Sequence, residues 1–70
     1  MNAYVKISEI DCPCYVPKVK KIITMRIKSH ETSEIDDLES LRIYPDCYYV
    51  FVGEQILHVW GKNIEFVSFQ

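Results

Sequence analysis

The sequence contains no apolar segment long enough to cross a bilayer. Its longest stretches without Asp, Glu, Lys or Arg run from Cys47 to Gly53 and from Gln55 to Gly61, whereas a transmembrane helix needs about 20 apolar residues. No apolar region of the signal-peptide type follows Met1. We therefore expect a cytoplasmic protein that does not act at a membrane.

The number of cysteines is small and odd. The three cysteines, Cys12, Cys14 and Cys47, fit reduced thiols better than a disulfide framework. Together with His30 or His58 they could offer zinc three thiolates and one imidazole. The single residue between Cys12 and Cys14 is shorter than the usual gap of about two to four residues, and the fourth ligand has no distinctive spacing. We therefore predict no metal and no other cofactor.

No residue pattern typical of an enzyme is present. In the predicted sheet His58 lies opposite Glu65 and near Tyr49, and such a group could transfer a proton. Cys47 lies near the strand that faces His58, but no third group that would orient a thiolate and a base is evident. A hydrogen bond on a sheet surface is the simpler interpretation of these residues. We expect no enzymatic activity.

Length and composition indicate one folded domain spanning residues 1–70. A chain of 70 residues is too short for two hydrophobic cores. Hydrophobic residues make up 49% of the sequence, which separates it from disordered chains. A core of this size barely offsets the entropy of ordering the chain, so low stability is expected.

Charge is distributed unevenly along the sequence. Residues 1–28 carry six basic and two acidic side chains, whereas residues 29–47 carry one basic and six acidic side chains. The basic residues could track the phosphates of a nucleic acid, although the pI of about 5.5 is low for a dedicated nucleic-acid-binding domain. This alternative function would use the basic residues of the second predicted strand and its approach: Lys18, Lys20, Lys21, Arg26 and Lys28.

The pattern of apolar residues predicts an α+β fold. Residues 3–10 and 19–28 alternate as two antiparallel strands joined by a proline-containing loop over 11–17. Ser33 is a suitable helix N-cap, and the spacing of Ile35, Leu38 and Leu41 predicts one short helix over residues 34–43. Three apolar runs follow, so the order of the elements is β-β-α-β-β-β. The helix is expected to pack on a small antiparallel sheet.

The last 23 residues predict a three-stranded antiparallel meander with two turns that contain glycine, at Gly53 and Gly61. If each turn has two central residues, Val52 pairs with Gln55 and Trp60 with Asn63. Alternation then separates an apolar core face from a mixed second face. The predicted core face carries Tyr48, Val50, Val52, Leu57, Val59, Ile64 and Phe66. A three-residue loop with a bulge is the alternative for these turns.

The second face of the predicted meander is the candidate binding site. Aromatic side chains are enriched at interface hot spots, and single domains rarely expose a wide apolar patch without a partner. We therefore predict a non-enzymatic module that binds a protein partner, with a homodimer as one possible form. The predicted contact residues are Tyr49, Phe51, Ile56, His58 and Trp60.

No motif identifies a family. The chain is similar only in size to small phage-borne inhibitors of host machinery, which include anti-CRISPR and anti-restriction proteins. That similarity implies a host protein or complex as the partner.

Overall fold

The computed structural model describes residues 1–70 as an all-β protein. Half of the residues lie in strands, and the remaining regular structure is two short 3-10 turns, at Leu38–Ser40 and Gly61–Asn63. The seven strands are β1 (Ala3–Ile7), β2 (Cys14–Val16), β3 (Lys21–Arg26), β4 (Thr32–Ile35), β5 (Cys47–Val52), β6 (Ile56–Trp60) and β7 (Ile64–Phe69). The predicted α+β class is therefore wrong.

The strands form two antiparallel sheets. The first has three strands in the order β2-β1-β7, and the second has four in the order β4-β3-β5-β6. The predicted pairing of the first two long strands is not formed, because β1 pairs with β2 and β7, whereas β3 pairs with β4 and β5. The short strand β2 lies within the segment that was predicted to be a loop.

One hydrophobic core lies between the sheets. It combines residues of both sheets in a single cluster, and no polar or charged residue is buried. The radius of gyration is 11.2 Å. The core residues are Ala3, Val5, Val16, Val19, Ile22, Cys47, Tyr49, Phe51 and Val59.

The predicted helix over residues 34–43 does not form. The first part of that segment is the edge strand β4, and only Leu38–Ser40 turns, with Asp37 accepting a hydrogen bond from the Glu39 amide at 3.2 Å. An isolated helix of this length is marginal in water, so tertiary contacts decide its conformation. Leu38 and Leu41 still pack against the core. The apolar residues that were read as one face of a helix are therefore core contacts made by an irregular segment.

The buried hydroxyl of Tyr49 holds the irregular segment against the sheet. It donates to the Arg42 carbonyl oxygen at 2.8 Å and accepts from the Tyr44 amide at 2.7 Å. Burial raises the pKa of Tyr49 above its ordinary value of 10.0, against the lowering effect of the hydrogen bond from Tyr44. The hydroxyl is therefore neutral at physiological pH and available as a donor.

Replacing Tyr49 by Phe is expected to destabilise the fold by about 1–3 kcal/mol, because a partly buried amide and carbonyl lose their shared partner. Urea denaturation of the wild type and Tyr49→Phe measures the loss. Tyr48→Phe is the matched control, since Tyr48 lies on the opposite face of the same strand and should change the free energy of unfolding by less than about 0.5 kcal/mol. Equal stability of Tyr49→Phe and the control would contradict this role.

The pairing of β5 with β6 is shifted by one residue from the predicted register. Val52 pairs with Ile56 and Phe51 with Leu57, so the loop between the strands contains three residues, Gly53 to Gln55. After a shift by one residue, side chains of β5 and β6 that were predicted to share a face lie on opposite faces of the sheet. The predicted assignment of side chains to the two faces is consequently wrong for β5 and correct for β6.

The first predicted hairpin forms with a three-residue loop, but the second does not form. After β6 the chain makes the 3-10 turn Gly61–Asn63, and β7 crosses to the other sheet, where it pairs with β1. Phe66, which was predicted on the core face, is 52% exposed. The predicted C-terminal meander is therefore absent, and β3 rather than β7 completes the sheet around the β5–β6 hairpin.

Candidate protein-binding surface

The structure separates the five predicted contact residues into two groups. Tyr49 and Phe51 are 1% and 0% exposed and belong to the core, so they cannot contact a partner in this conformation. Ile56, His58 and Trp60 are exposed side by side along β6. The corrected register explains the division, because Tyr49 and Phe51 pair with the inward-facing Val59 and Leu57.

Other residues complete the surface that carries Ile56, His58 and Trp60. Residues paired across a sheet share a face, and the face opposite to the core is called the outer face below. The strand register places on it the uncharged residues of three neighbouring strands: Ile23, Met25, Tyr48, Val50, Val52, Ile56, His58 and Trp60. None of them is buried. The sequence did contain a signal for part of this set, because Ile23 and Met25 alternate with polar residues in β3.

An aromatic cluster occupies one end of the outer face. The Tyr48 and Trp60 rings meet edge to face with centroids 4.9 Å apart, and the His58 ring is 5.9 Å from Tyr48. Edge-to-face packing is a favoured arrangement of aromatic pairs. Trp60 remains 43% exposed and Ile56 62% exposed. The cluster therefore presents large, oriented apolar groups to the solvent.

Charge lies at the margin of the outer face. Lys21 and Glu34 form an ion pair of 3.2 Å across β3 and β4. The two other strands of this sheet, β5 and β6, contribute no charged residue to the outer face. Glu65, which was predicted to lie opposite His58, instead contacts Lys6 at 3.6 Å in the other sheet. The suggested proton-transfer group of His58, Glu65 and Tyr49 is thus not assembled.

The basic residues of the nucleic-acid alternative do not form one continuous surface. Lys21 and Arg26 lie five positions apart in β3 and so point to opposite faces of the sheet. Three of the five contact carboxylates: Lys18 with Glu54 at 3.1 Å, Lys21 with Glu34 at 3.2 Å and Arg26 with Asp46 at 3.5 Å. Lys20 and Lys28 are exposed.

The cysteines differ in their environments. Cys12 is exposed, Cys14 is partly buried and Cys47 is buried. No group of three or more His, Cys, Asp or Glu side chains is positioned to hold a metal ion. The zinc ligand set considered from the sequence is therefore not brought together.

A small cavity of about 280 Å³ opens at one end of the inner face of the four-stranded sheet. Its wall has mixed charge, with two guanidinium groups and one carboxylate. Arg26 at this cavity already contacts Asp46, and the Tyr49 hydroxyl is engaged by the backbone. The lining residues are Thr24, Arg26, Glu31, Ser33, Ile35, Ser40, Arg42, Tyr44, Cys47 and Tyr49.

Neither a family model, nor a curated protein, nor a solved structure matches this chain. Its helical content is limited to short turns, and no helix is long and apolar enough to cross a membrane.

Proposed function

We propose that this protein is a small cytoplasmic, non-enzymatic module that binds a protein partner through the outer face. The observation that carries the proposal is the exposed aromatic and aliphatic surface around Trp60, Tyr48 and Ile56. Aromatic anchors surrounded by neutral contacts dominate the binding energy of protein interfaces. The charge-free centre of the surface is also the pattern expected for the core of an interface.

The size of the chain suggests the class of partner. The chain is similar in size to small phage-borne inhibitors of host machinery, such as anti-CRISPR and anti-restriction proteins, and this similarity is the reason for proposing a host protein or complex as the partner. An outer face that offers packed aromatic rings and an uncharged centre suits a contact that blocks a surface of the partner. The nucleic-acid alternative has less support, because carboxylates neutralise three of its five cations.

Truncating Trp60 and Ile56 to Ala together is expected to weaken partner binding roughly thirtyfold or more, since a hot-spot side chain contributes about 2 kcal/mol or more. The partner is first captured from a host lysate and identified by mass spectrometry. Its affinity for the wild type and for the double variant is then measured by calorimetry. Both side chains are exposed, so the fold should be retained.

The matched control replaces Tyr15 and Phe66 by Ala. These two residues are also exposed and apolar, but they belong to the three-stranded sheet. If the control lost as much affinity for the partner as the Trp60 and Ile56 double variant, the assignment of the contact to the outer face would be contradicted. A steep loss of affinity between about 50 and 200 mM salt would instead indicate phosphate contacts.

A further inference from the structure

The two sheets have four edge strands, and three of them carry features that discourage pairing with another chain. β2 has three residues and lies between Pro13 and Pro17. β7 contains Glu65 and a register irregularity opposite β1, and β4 is polar and contains Glu34. Short length, proline, charge and bulges are the means by which natural proteins protect sheet edges.

The fourth edge, β6, has none of these features. Its five residues, Ile56 to Trp60, contain no charge and no proline, and they pair regularly with β5. The sheet ends at β6, and none of the backbone hydrogen bonds made outside the strand ladders involves a residue of β6. An exposed, apolar and regular edge is a template for a further strand.

The hydrogen-bond pattern identifies which backbone groups of β6 are free. The Ile27 amide donates to the Asp46 carbonyl, and alternation along this ladder directs the backbone groups of Tyr48 and Val50 toward β3. Those of Tyr49 and Phe51 therefore point to β6. By the same alternation, the backbone amides and carbonyls of Leu57 and Val59 bond to β5. The free amides and carbonyls of β6 are those of Ile56, His58 and Trp60.

We propose that β6 pairs antiparallel with β6 of a second copy of this chain, with the two-fold axis at His58. This register brings the free groups of His58 together with those of the second copy's His58. It also places Ile56 of each copy opposite Trp60 of the other copy. All three free residues of each strand then exchange hydrogen bonds in the pattern of an antiparallel ladder.

The sequence of β6 suits a second copy as the occupant. A two-fold interface must match a surface to itself, and the pairing of an aliphatic with an aromatic residue on each side of the axis is self-complementary and favourable. No like charges oppose each other. The product is an eight-stranded sheet in which two outer faces continue side by side.

The proposed dimer is a contact of edges and is separate from the partner contact of the outer face. A pairing of two five-residue strands is small, so the association belongs to the weak class with less than about 1,200 Å² buried. Sedimentation equilibrium between about 10 μM and about 1 mM covers that range. Hydrogen exchange over the same range should slow at the amides of Ile56, His58 and Trp60, while Leu57 and Val59 should not change.

Replacing His58 by Pro tests the contact directly, because it removes a free amide and leaves the ladder to β5 intact. We expect a folded monomer at concentrations where the wild type is dimeric. His58→Lys is the second variant, since it places two like charges opposite each other. The matched control is Thr32→Pro: Thr32 is exposed on β4, and the bond from the Arg26 amide to the Glu31 carbonyl shows that Thr32 points its amide away from β3.

Dimerisation of the wild type and of Thr32→Pro, with monomeric His58 variants, would support the proposal. A wild type that remains monomeric at about 1 mM would overturn it, as would a folded His58→Pro or His58→Lys variant that still dimerises. Loss of dimers in Thr32→Pro alone would place the contact at β4 and would also overturn it. Partner affinity is measured separately, so failure of the edge contact is distinguishable from failure of the outer-face contact.

Discussion

Replacing Phe51 by Ala is expected to cause the largest loss of stability of any single truncation in β5. Phe51 is fully buried in the cluster shared by both sheets, and truncating a buried Phe costs about 3–5 kcal/mol. A domain of this length has a total stability of roughly 4–10 kcal/mol. The loss therefore removes a large part of the stability. Circular dichroism and urea denaturation measure it.

Val50→Ala is the control for this prediction, because Val50 precedes Phe51 in β5 and lies on the outer face. We expect it to change the free energy of unfolding by less than about 1 kcal/mol, as for other surface substitutions. The predicted two-residue turn would have exchanged the two results, since it placed Val50 in the core. A severe loss in Val50→Ala together with a mild loss in Phe51→Ala would therefore restore the predicted register.

The existence of most strands was predictable, whereas their partners were not. Alternation of apolar residues located β1, β3, β5, β6 and β7, because period-two patterns are local. The choice of partner depends on contacts distant in sequence. Nothing in the alternation of Ile64–Phe69 distinguishes pairing with β6 from pairing with β1.

The register error arose at Gly53. A Gly followed by a polar residue favours a two-residue turn, but the loop also serves other contacts, since the Glu54 amide donates to the Pro17 carbonyl at 2.9 Å. These contacts fit a three-residue loop, and the whole of β5 changes face relative to the prediction. The predicted face was therefore correct for β6, where Ile56, His58 and Trp60 point outward. It was wrong for β5, where Tyr48 and Val50 point outward in place of Tyr49 and Phe51.

The helix error has a different physical cause. Acidic residues after Ser33 and the spacing of Ile35, Leu38 and Leu41 satisfy local rules for a helix. Those rules contribute little when the element is short. Pairing of Thr32–Ile35 with β3 gives the first part of the segment strand partners for its backbone, and the Tyr49 hydroxyl bonds the Arg42 carbonyl and the Tyr44 amide at its other end. Contacts with β3 and Tyr49, both outside the segment, thus outweigh its local helical preference, and the pattern within the segment does not reveal them.

Replacing Gly61 by Ala is expected to destabilise the fold by about 3 kcal/mol or more, at the upper end of the cost of overpacking. A Cβ at this buried position would overlap the Tyr44 carbonyl oxygen and lie 2.9 Å from both the Cys47 carbonyl oxygen and Cε2 of Tyr49. Two of these neighbours are backbone atoms, so the contact is relieved only if the segment held by Tyr49 moves. No glycine in the chain has a positive φ, so the requirement for Gly61 is steric.

Thermal and urea denaturation of Gly61→Ala measure this cost. Lys62→Ala is the matched control, because Lys62 is exposed in the same 3-10 turn and its truncation should change the free energy of unfolding by less than about 0.5 kcal/mol. If Gly61→Ala matched that control, the turn could not be packed against residues 44–47 as described. The turn redirects the chain from β6 to β7, so its displacement should also loosen the pairing of β7 with β1. The pair Asn2–Gln70 exchanges hydrogen bonds, so alternation directs the Ser68 and Phe66 amides to β1. Faster hydrogen exchange of these two amides in Gly61→Ala than in Lys62→Ala would reveal that coupling.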